Sequence, residues 1–382
     1  MHIAEVGVKL LYMKKSKKKS HKILYTILGI VIALLLVVLG YVAYVFGTYY
    51  RIEDHQELSI ENPQSKVITA GDKHTIATYN IGFGAYGPEF DFFMDYGTMA
   101  DGTEVTGTRG TSISKEYTLR NINGTLKELL ALDPELIFIQ EIDTDSTRSQ
   151  HVNQVEMYQS TFRDMASVYA CNFHSAYLFY PFTDPHGTVN AGIMTLSDYR
   201  IDEAERRSYP VTTSISKVTD LDRCFAVHRL PVDNGKELVL INSHMSAYDK
   251  GGVIREQQWE MVTDVLKEEY AKGNYVILGG DFNHVLGDEV NGIFPSQQLT
   301  PGWLAFITSD QVPEGFTIAT AENFRDVPTC RAAEIPWQKG VNYTCIIDGF
   351  IVSDNIEYTT HNIETDFAWT DHQPVLMEFT LL

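Results

Sequence analysis

The apolar run Tyr275-Val276-Ile277-Leu278 leads straight into Gly279-Gly280-Asp281-Phe282-Asn283-His284, and this junction constrains the fold more than any other stretch. A short run rich in branched residues reads as a buried strand, and two glycines let its end turn sharply with backbone close to a ligand. Such a strand end delivers Asp281 and Asn283 to one edge of a sheet. An acid and an amide held on rigid backbone suit a metal ion or a phosphate oxygen. Gly-Asp-x-Asn is also good turn chemistry, so the motif takes its meaning from the other strand ends.

Those ends repeat the pattern. Strands are expected at Thr75–Asn80, Leu136–Gln140, Ala191–Leu196, Glu237–Asn242, Tyr275–Leu278, Cys345–Val352 and Val375–Leu381. Asn80 closes the first, Glu141 follows the second, His244 follows the fourth, Asp348 opens the sixth, and Asp371-His372 precedes the last. Helices are expected over Leu119–Leu132, Val152–Met165 and Val253–Ala271. Gly82–Ser114 is aromatic-rich without clear periodicity and reads as a roof over whatever the strand ends carry. His284 is read as structural.

The N-terminus is a different kind of sequence. Lysines crowd residues 14–22, and an uncharged apolar stretch, Ile23–Phe46, is long enough to cross a bilayer as a helix. It stays bulky into an aromatic border at Tyr49-Tyr50, unlike a cleavable signal, and the one-sided lysines place the N-terminus in the cytoplasm. The expected organisation is a basic segment 1–22, a membrane anchor 23–46, a stalk 47–73 and one outward-facing domain 74–382, with the lipid bilayer as partner. Of 30 Lys+Arg and 50 Asp+Glu, seven lysines and one acid precede the anchor, leaving 23 against 49 outside it. That acidity disfavours a polynucleotide substrate, because nonspecific binding depends on neutralising phosphates with Lys and Arg. The four cysteines, Cys171, Cys224, Cys330 and Cys345, show no zinc spacing; Cys330 and Cys345 are one of the pairings open to them.

The strand-end residues together fit attack of water on a phosphoester. A hard divalent cation wants carboxylate and carbonyl oxygens, so Glu141 with Asn80 or Asp281 makes an incomplete shell that substrate phosphate completes. Water needs a base near neutrality, for which His372 fits, with Asp348 on its other nitrogen to fix the tautomer. His244 is expected to donate to the developing phosphorane charge or to the leaving group, with Asn283 as a neutral donor beside it.

Asn80 in Thr-Tyr-Asn-Ile, Glu141 in Ile-Gln-Glu-Ile, His244 in Asn-Ser-His-Met, Gly-Asp-Phe-Asn at 280–283, Ile-Asp-Gly-Phe at 347–350 and Thr-Asp-His-Gln-Pro-Val at 370–375 resemble, in order, the endonuclease/exonuclease/phosphatase superfamily. The resemblance covers Thr75 to Leu382. It implies a four-layer α/β sandwich, two mixed sheets face to face with helices outside, and metal-dependent phosphoesterase chemistry using Mg²⁺, or Mn²⁺ or Ca²⁺ in its place. It implies Glu141 as principal metal ligand with Asn80 nearby, Asp281 and Asn283 orienting the nucleophile or binding phosphate, and Asp348 orienting His372. Asp371 would support the site or the metal, and His244 matches the second histidine of pancreatic-type deoxyribonucleases and bacterial sphingomyelinases. The chain lacks the Pro-x-Trp-Cys-Asp-Arg segment of inositol-polyphosphate phosphatases, and Asp348-Gly349 replaces the family's common Asp-Tyr.

Three further residues are candidates for substrate contact. Arg148 and His151 are placed to fork a phosphate or to pair with Asp143 or Asp145 on the surface, and Asn190 opens a strand beside them. The leading expectation is an anchored, extracellular, metal-dependent phosphodiesterase or phosphatase acting on a lipid head group or small phosphoester. An extracellular nuclease, supported if Arg109, Arg120 and Arg148 form a basic groove, is the alternative, and a non-catalytic binding protein on the same fold a lesser one.

Overall fold

The computed structural model describes residues 2–212, 221–247 and 252–382, with side chains from residue 21 onward. It contains two compact units, Met1–Tyr50 and Arg51–Leu382. The first is one helix, α1 (His2–Thr48), and its stretch His21–Thr48 is long and apolar enough to cross a membrane. Leu34 through Leu39 are all exposed, so this is no core helix of a globular fold. The side chains of the lysine cluster before residue 20 lie outside the described residues.

In the second unit the chain runs through β1 (Gln56–Glu57), β2 (Ile60–Glu61), β3 (Lys73–Asn80), α2 (Lys115–Leu132), β4 (Leu136–Asp143), α3 (Gln154–Thr161), β5 (Ala166–Leu178), β6 (Gly187–Ser197) and β7 (Glu203–Ser208). It continues through β8 (Cys224–Pro231), β9 (Glu237–His244), α4 (Val253–Ala271), β10 (Tyr275–Asp281), β11 (Phe316–Ile318), β12 (Asp348–Ser353), β13 (Ile356–Asn362) and β14 (Val375–Leu381). Two seven-stranded mixed sheets result, ordered β1-β7-β8-β9-β10-β12-β11 and β13-β14-β3-β4-β6-β5-β2. Between them Ile76, Leu136, Phe138 and Ile193 of the second sheet meet Leu238, Leu240, Ile277 and Phe350 of the first. Each such side chain contributes roughly 1.5–3 kcal/mol by leaving water. Ile122, Leu126 and Tyr158 of α2 and α3 cover the outer face of the second sheet, and Val262 and Leu266 of α4 cover that of the first. This is the expected four-layer sandwich.

The register gathers the polar strand ends. Parallel β3 and β4 place Asn80 opposite Gln140. Parallel β9 and β10 place His244 opposite Asp281, and antiparallel β10 and β12 place Asp281 opposite Asp348, so three adjacent strands carry one row of site residues.

Three expectations need correction. The chain does not turn at Gly279-Gly280, because β10 continues through both to Asp281. The glycines answer to packing: a Cβ on Gly279 would lie 2.4 Å from the Phe350 ring, and one on Gly280, at φ +135°, would lie 2.0 Å from the Ser243 carbonyl oxygen. The stalk is shorter than 47–73, since β1 pairs with β7, β2 pairs with β5, and Ile68 is fully buried. The second expected helix contracts to α3, capped by Asn153, whose side chain accepts from the Glu156 amide. Strands β5, β7, β8 and β13 were not anticipated. In β7 the run Glu-Ala-Glu-Arg-Arg-Ser looks helical, but buried Arg206 is held by the carbonyls of Cys171, Glu53 and Asp222.

Candidate active site

Hydrogen bonds between side chains replace the apolar core where the two sheets meet at the strand ends. Asn80 Nδ2 donates to Asp281 Oδ2 at 2.9 Å, and its Oδ1 accepts from the Gly82 amide at 3.0 Å. One layer deeper, Gln140 donates to Asn242 Oδ1 at 2.9 Å. Buried polar groups left single would cost about 1–3 kcal/mol each, so these pairs fix the relative placement of the sheets at the site.

Glu141 occupies a bulge in β4, where pairing with β6 shifts register between Ile139 and Ile142, and its φ is +56°. A non-glycine residue in that region is uncommon, and bulges re-aim side chains. The Glu141 carboxylate comes within 3.7 Å of His244 Nε2, which also lies 3.5 Å from Asp281 Oδ2. Burial, and then the charges of Asp371 and Asp281, push Glu141 up to about 8 against the opposing pull of His372 and Arg148.

His372 Nδ1 contacts both oxygens of Asp348, at 2.9 and 3.1 Å. The Asp348 backbone amide donates to Thr329 Oγ1, as does that of Ile347. Burial disfavours a charged imidazole, but Asp348 outweighs it and lifts His372 well above its ordinary range. The ring turns its other nitrogen inward, 3.8 Å from Asp281 Oδ2 and 3.7 Å from Cys330 Sγ. Asn283, at φ +50°, donates its backbone amide to Asp281 Oδ1 and its side-chain amide to the Met245 carbonyl. Asp371 Oδ1 accepts from the Thr370 hydroxyl at 3.0 Å, and a Cβ on Gly82 would reach within 3.1 Å of that same oxygen.

The donor set fits a hard cation. Glu141, Asp281 and His244 offer ligand atoms within 4.8 Å of one another, Asn80 adjoins Asp281, and the neighbouring carboxylates, which add to burial in raising Glu141, are charge that a cation would relieve. His244 is a poor ligand in this geometry, because Arg223 Nη1 lies 2.6 Å from its Nε2. A guanidinium cannot accept, so Nε2 is the acceptor and the imidazole is neutral. Burial and the Arg223 charge hold His244 well below its usual range.

Sequence reasoning missed Arg223, Thr329 and Cys330. Arg223 comes to His244 through the β8–β9 hairpin, in which Phe225 pairs with Ser243, so recognising β8 would have located it. The outlying candidates sit differently. Arg148 does pair with Asp143, but the pair is buried, with Nη2 3.0 Å from Oδ1 and the guanidinium 3.2 Å from the Phe83 ring centre. His151 is exposed and bonded to Asp145, while Asn190 bonds His174 and the Asp145 carbonyl. His284 Nδ1 lies 2.6 Å from the Phe282 carbonyl oxygen.

A search of curated proteins returns no sequence match. Among solved structures, an endonuclease/exonuclease/phosphatase from Beutenbergia cavernae superposes with a TM-score of 0.52 at 13% identity, over 81% of this chain and 72% of that one. TDP2 from Caenorhabditis elegans gives 0.47 at 14% identity, over 81% and 75%. The human Nocturnin catalytic domain, solved with a bound sulfate anion, gives 0.49 at 11% identity, over 85% and 98%. At such identities the likeness concerns the fold. The sequence model of the Endonuclease/Exonuclease/phosphatase family matches residues 77–372, from within β3 to His372, and the chain therefore belongs to that family of metal-dependent phosphoester hydrolases.

Proposed function

We propose that this chain is a Mg²⁺-dependent phosphodiesterase working at a membrane surface on lipid head groups or other small phosphoesters, its helix in the bilayer and its catalytic domain outside the cell. His372 Nε2 takes a proton from the attacking water, and Asp348 fixes the tautomer and stabilises the imidazolium that forms. Glu141, Asn80 and Asp281, supported by Asp371, would hold the cation, which when bound supplies positive charge beside the transferring phosphoryl group. Asn283 keeps Asp281 in place through its amide. The donor role expected of His244 passes to Arg223, whose guanidinium is the cation beside His244.

The observation that carries the substrate choice is the fate of three arginines. Arg109 lies against Asp91, Arg120 pairs with Glu89 and Arg148 is buried on Asp143, so the three do not form the unpaired basic groove that would favour a polynucleotide backbone. An aromatic series, Phe83, Tyr86, Phe92, Phe93, Tyr180 and Phe182, leads from the ring under Arg148 to the surface, with neighbouring centroids 5.1–6.0 Å apart. It ends on Tyr180 and Phe182, 61% and 84% exposed, in the uncharged segment Ala176–Thr183. Amphipathic rings without charge suit a bilayer interface.

The test is the full chain in phosphatidylcholine vesicles, assayed on choline phospholipid, a bis-aryl phosphodiester and plasmid DNA, with Mg²⁺ and with chelator, alongside His372→Ala. Metal- and His372-dependent lipid hydrolysis is expected. DNA cleavage far faster than either small-ester reaction would replace this reading with the nuclease, and no turnover would leave the binding protein.

A further inference from the structure

A single buried side chain grips the segment that follows β3. Arg331 Nη2 donates to the Tyr86 carbonyl at 3.1 Å and to the Gly87 carbonyl at 3.0 Å, and Nη1 donates to the Ala332 carbonyl at 3.2 Å. The residue is 2% exposed, and its Nε has no hydrogen-bond partner among the described residues. Every group it bonds is a neutral carbonyl. Glu334, three residues on, accepts from Gln298 Nε2 at 2.7 Å instead, and burial raises its carboxyl. A buried cation with no carboxylate in contact is costly, so its counterpart matters. That counterpart lies at the site. The Arg331 amide donates to the Asp371 carbonyl at 3.0 Å. A Cβ on Gly82 would lie 3.1 Å from both Asp371 Oδ1 and Tyr86 Cβ, so Tyr86, whose carbonyl Arg331 holds, and the Asp371 carboxylate flank Gly82 together. Burial lowers the guanidinium from its ordinary value, and Asp371 is the largest charge opposing that. A guanidinium stays charged even so.

We propose that Arg331 gives the site a fixed positive charge, acting without contact, that favours the substrate phosphate and opposes the cation. It offsets part of the carboxylate charge around Asp371, so a cation is held less tightly than the carboxylates alone would hold it. A phosphate arriving beside that cation meets more positive charge. Locked to three carbonyls, the guanidinium contributes this without reaching the reacting atoms. The inference rests on the phosphoester reading for the identity of the two ligands, and its effects on them have opposite signs. Loss of packing would weaken both ligands; loss of charge strengthens one and weakens the other.

The experiment compares the full chain in detergent as wild type, Arg331→Met and Arg331→Lys. Mn²⁺ affinity is measured by titration calorimetry, and affinity for inorganic orthophosphate by phosphorus NMR in saturating Mg²⁺. Methionine keeps an apolar stem and removes the charge, and replacing a buried ion by an apolar side chain is often tolerated. Expected in Arg331→Met is Mn²⁺ binding about 3- to 10-fold tighter and orthophosphate binding weaker by a similar factor, the scale of one charge acting at a distance. Arg331→Lys keeps the charge but loses the fork on Tyr86 and Gly87, so both affinities should stay within about twofold of wild type. Where Arg331→Met does not fold, the lysine variant decides. Both affinities weaker in either variant would make Arg331 only a clamp on Tyr86 and Gly87 and overturn the proposal, as would affinities unchanged in Arg331→Met. Those outcomes leave the phosphoester reading standing. A wild type that binds neither Mn²⁺ nor orthophosphate removes that reading and this inference with it.

Discussion

Asn80 and Asp281 stand 201 residues apart in the chain and in different sheets, yet the Asn80 amide donates to Asp281 Oδ2 at 2.9 Å. This bond is where the sandwich becomes a site, since Asp281 also neighbours both histidines. Asn80→Ala orphans a buried carboxylate oxygen, at about 1–3 kcal/mol of stability, and loosens the oxygen cradle. Titration calorimetry with Mn²⁺ should show affinity about 10- to 100-fold weaker than wild type, the usual scale for a supporting group. Unchanged affinity would mean that the bond only joins the sheets.

Asp348 keeps His372 protonated to well above its usual range, and a base works only when deprotonated. Activity should rise with pH through that raised value, placing the acid limb of kcat/KM above the ordinary histidine region of about 6.5. Asp348→Asn removes the carboxylate that lifts the imidazole, so the limb should move to lower pH while kcat drops about 10²- to 10⁴-fold with loss of tautomer control. A limb that stays in place in Asp348→Asn would assign it to another group.

Glu141 gives a stability test. Its folded carboxyl titrates near 8, pushed up by burial and by neighbouring carboxylates, so the folded state binds more protons than the unfolded state above the ordinary value of about 4.3. Stability therefore falls as pH rises from about 4 to 8. Thermal unfolding should show that decline in the metal-free protein, less of it in Glu141→Gln, and more recovery on adding Mg²⁺ at pH 8 than at pH 5. Equal recovery at both pH values would separate Glu141 from the cation.

The sequence made the strand ends legible because each candidate group adjoins an apolar run whose burial forces its direction, as with Asp281 after Tyr275–Leu278 and His372 before Val375–Leu381. It concealed what depends on register or on buried polarity. Arg223 meets His244 only once β8 is recognised, and β8 hides because His228 and Arg229 interrupt its apolar run. Likewise Arg148 read as a phosphate fork or surface pair because nothing local announces Phe83 stacked against it. The two glycines before Asp281 looked like a turn because their reasons, the Phe350 ring and the Ser243 carbonyl, are 71 and 37 residues away from Gly279 and Gly280 respectively.

Phe182 is 84% exposed at the end of the aromatic series. Phe182→Ser should leave hydrolysis of a soluble bis-aryl ester within about twofold, since surface changes away from a site are usually near neutral. Turnover of vesicle lipid should drop severalfold, and an equal loss on both substrates would place the ring in the catalytic pocket instead.

Arg223 joins charge to geometry. Its Nη1 lies 2.6 Å from His244 Nε2, and after burial its charge is the largest influence holding His244 neutral. Arg223→Gln removes that charge, so the His244 resonances should titrate at higher pH than in wild type, though burial still opposes protonation. If Arg223 also faces charge that develops on the phosphoryl oxygens, kcat should fall about 10²- to 10³-fold. Arg223→Lys should recover only part of it, because an ammonium keeps the charge but lacks the planar fork. A rise in KM with kcat unchanged would instead assign Arg223 to ground-state binding of the phosphate, because an interaction equal in substrate and transition state does not accelerate the chemical step.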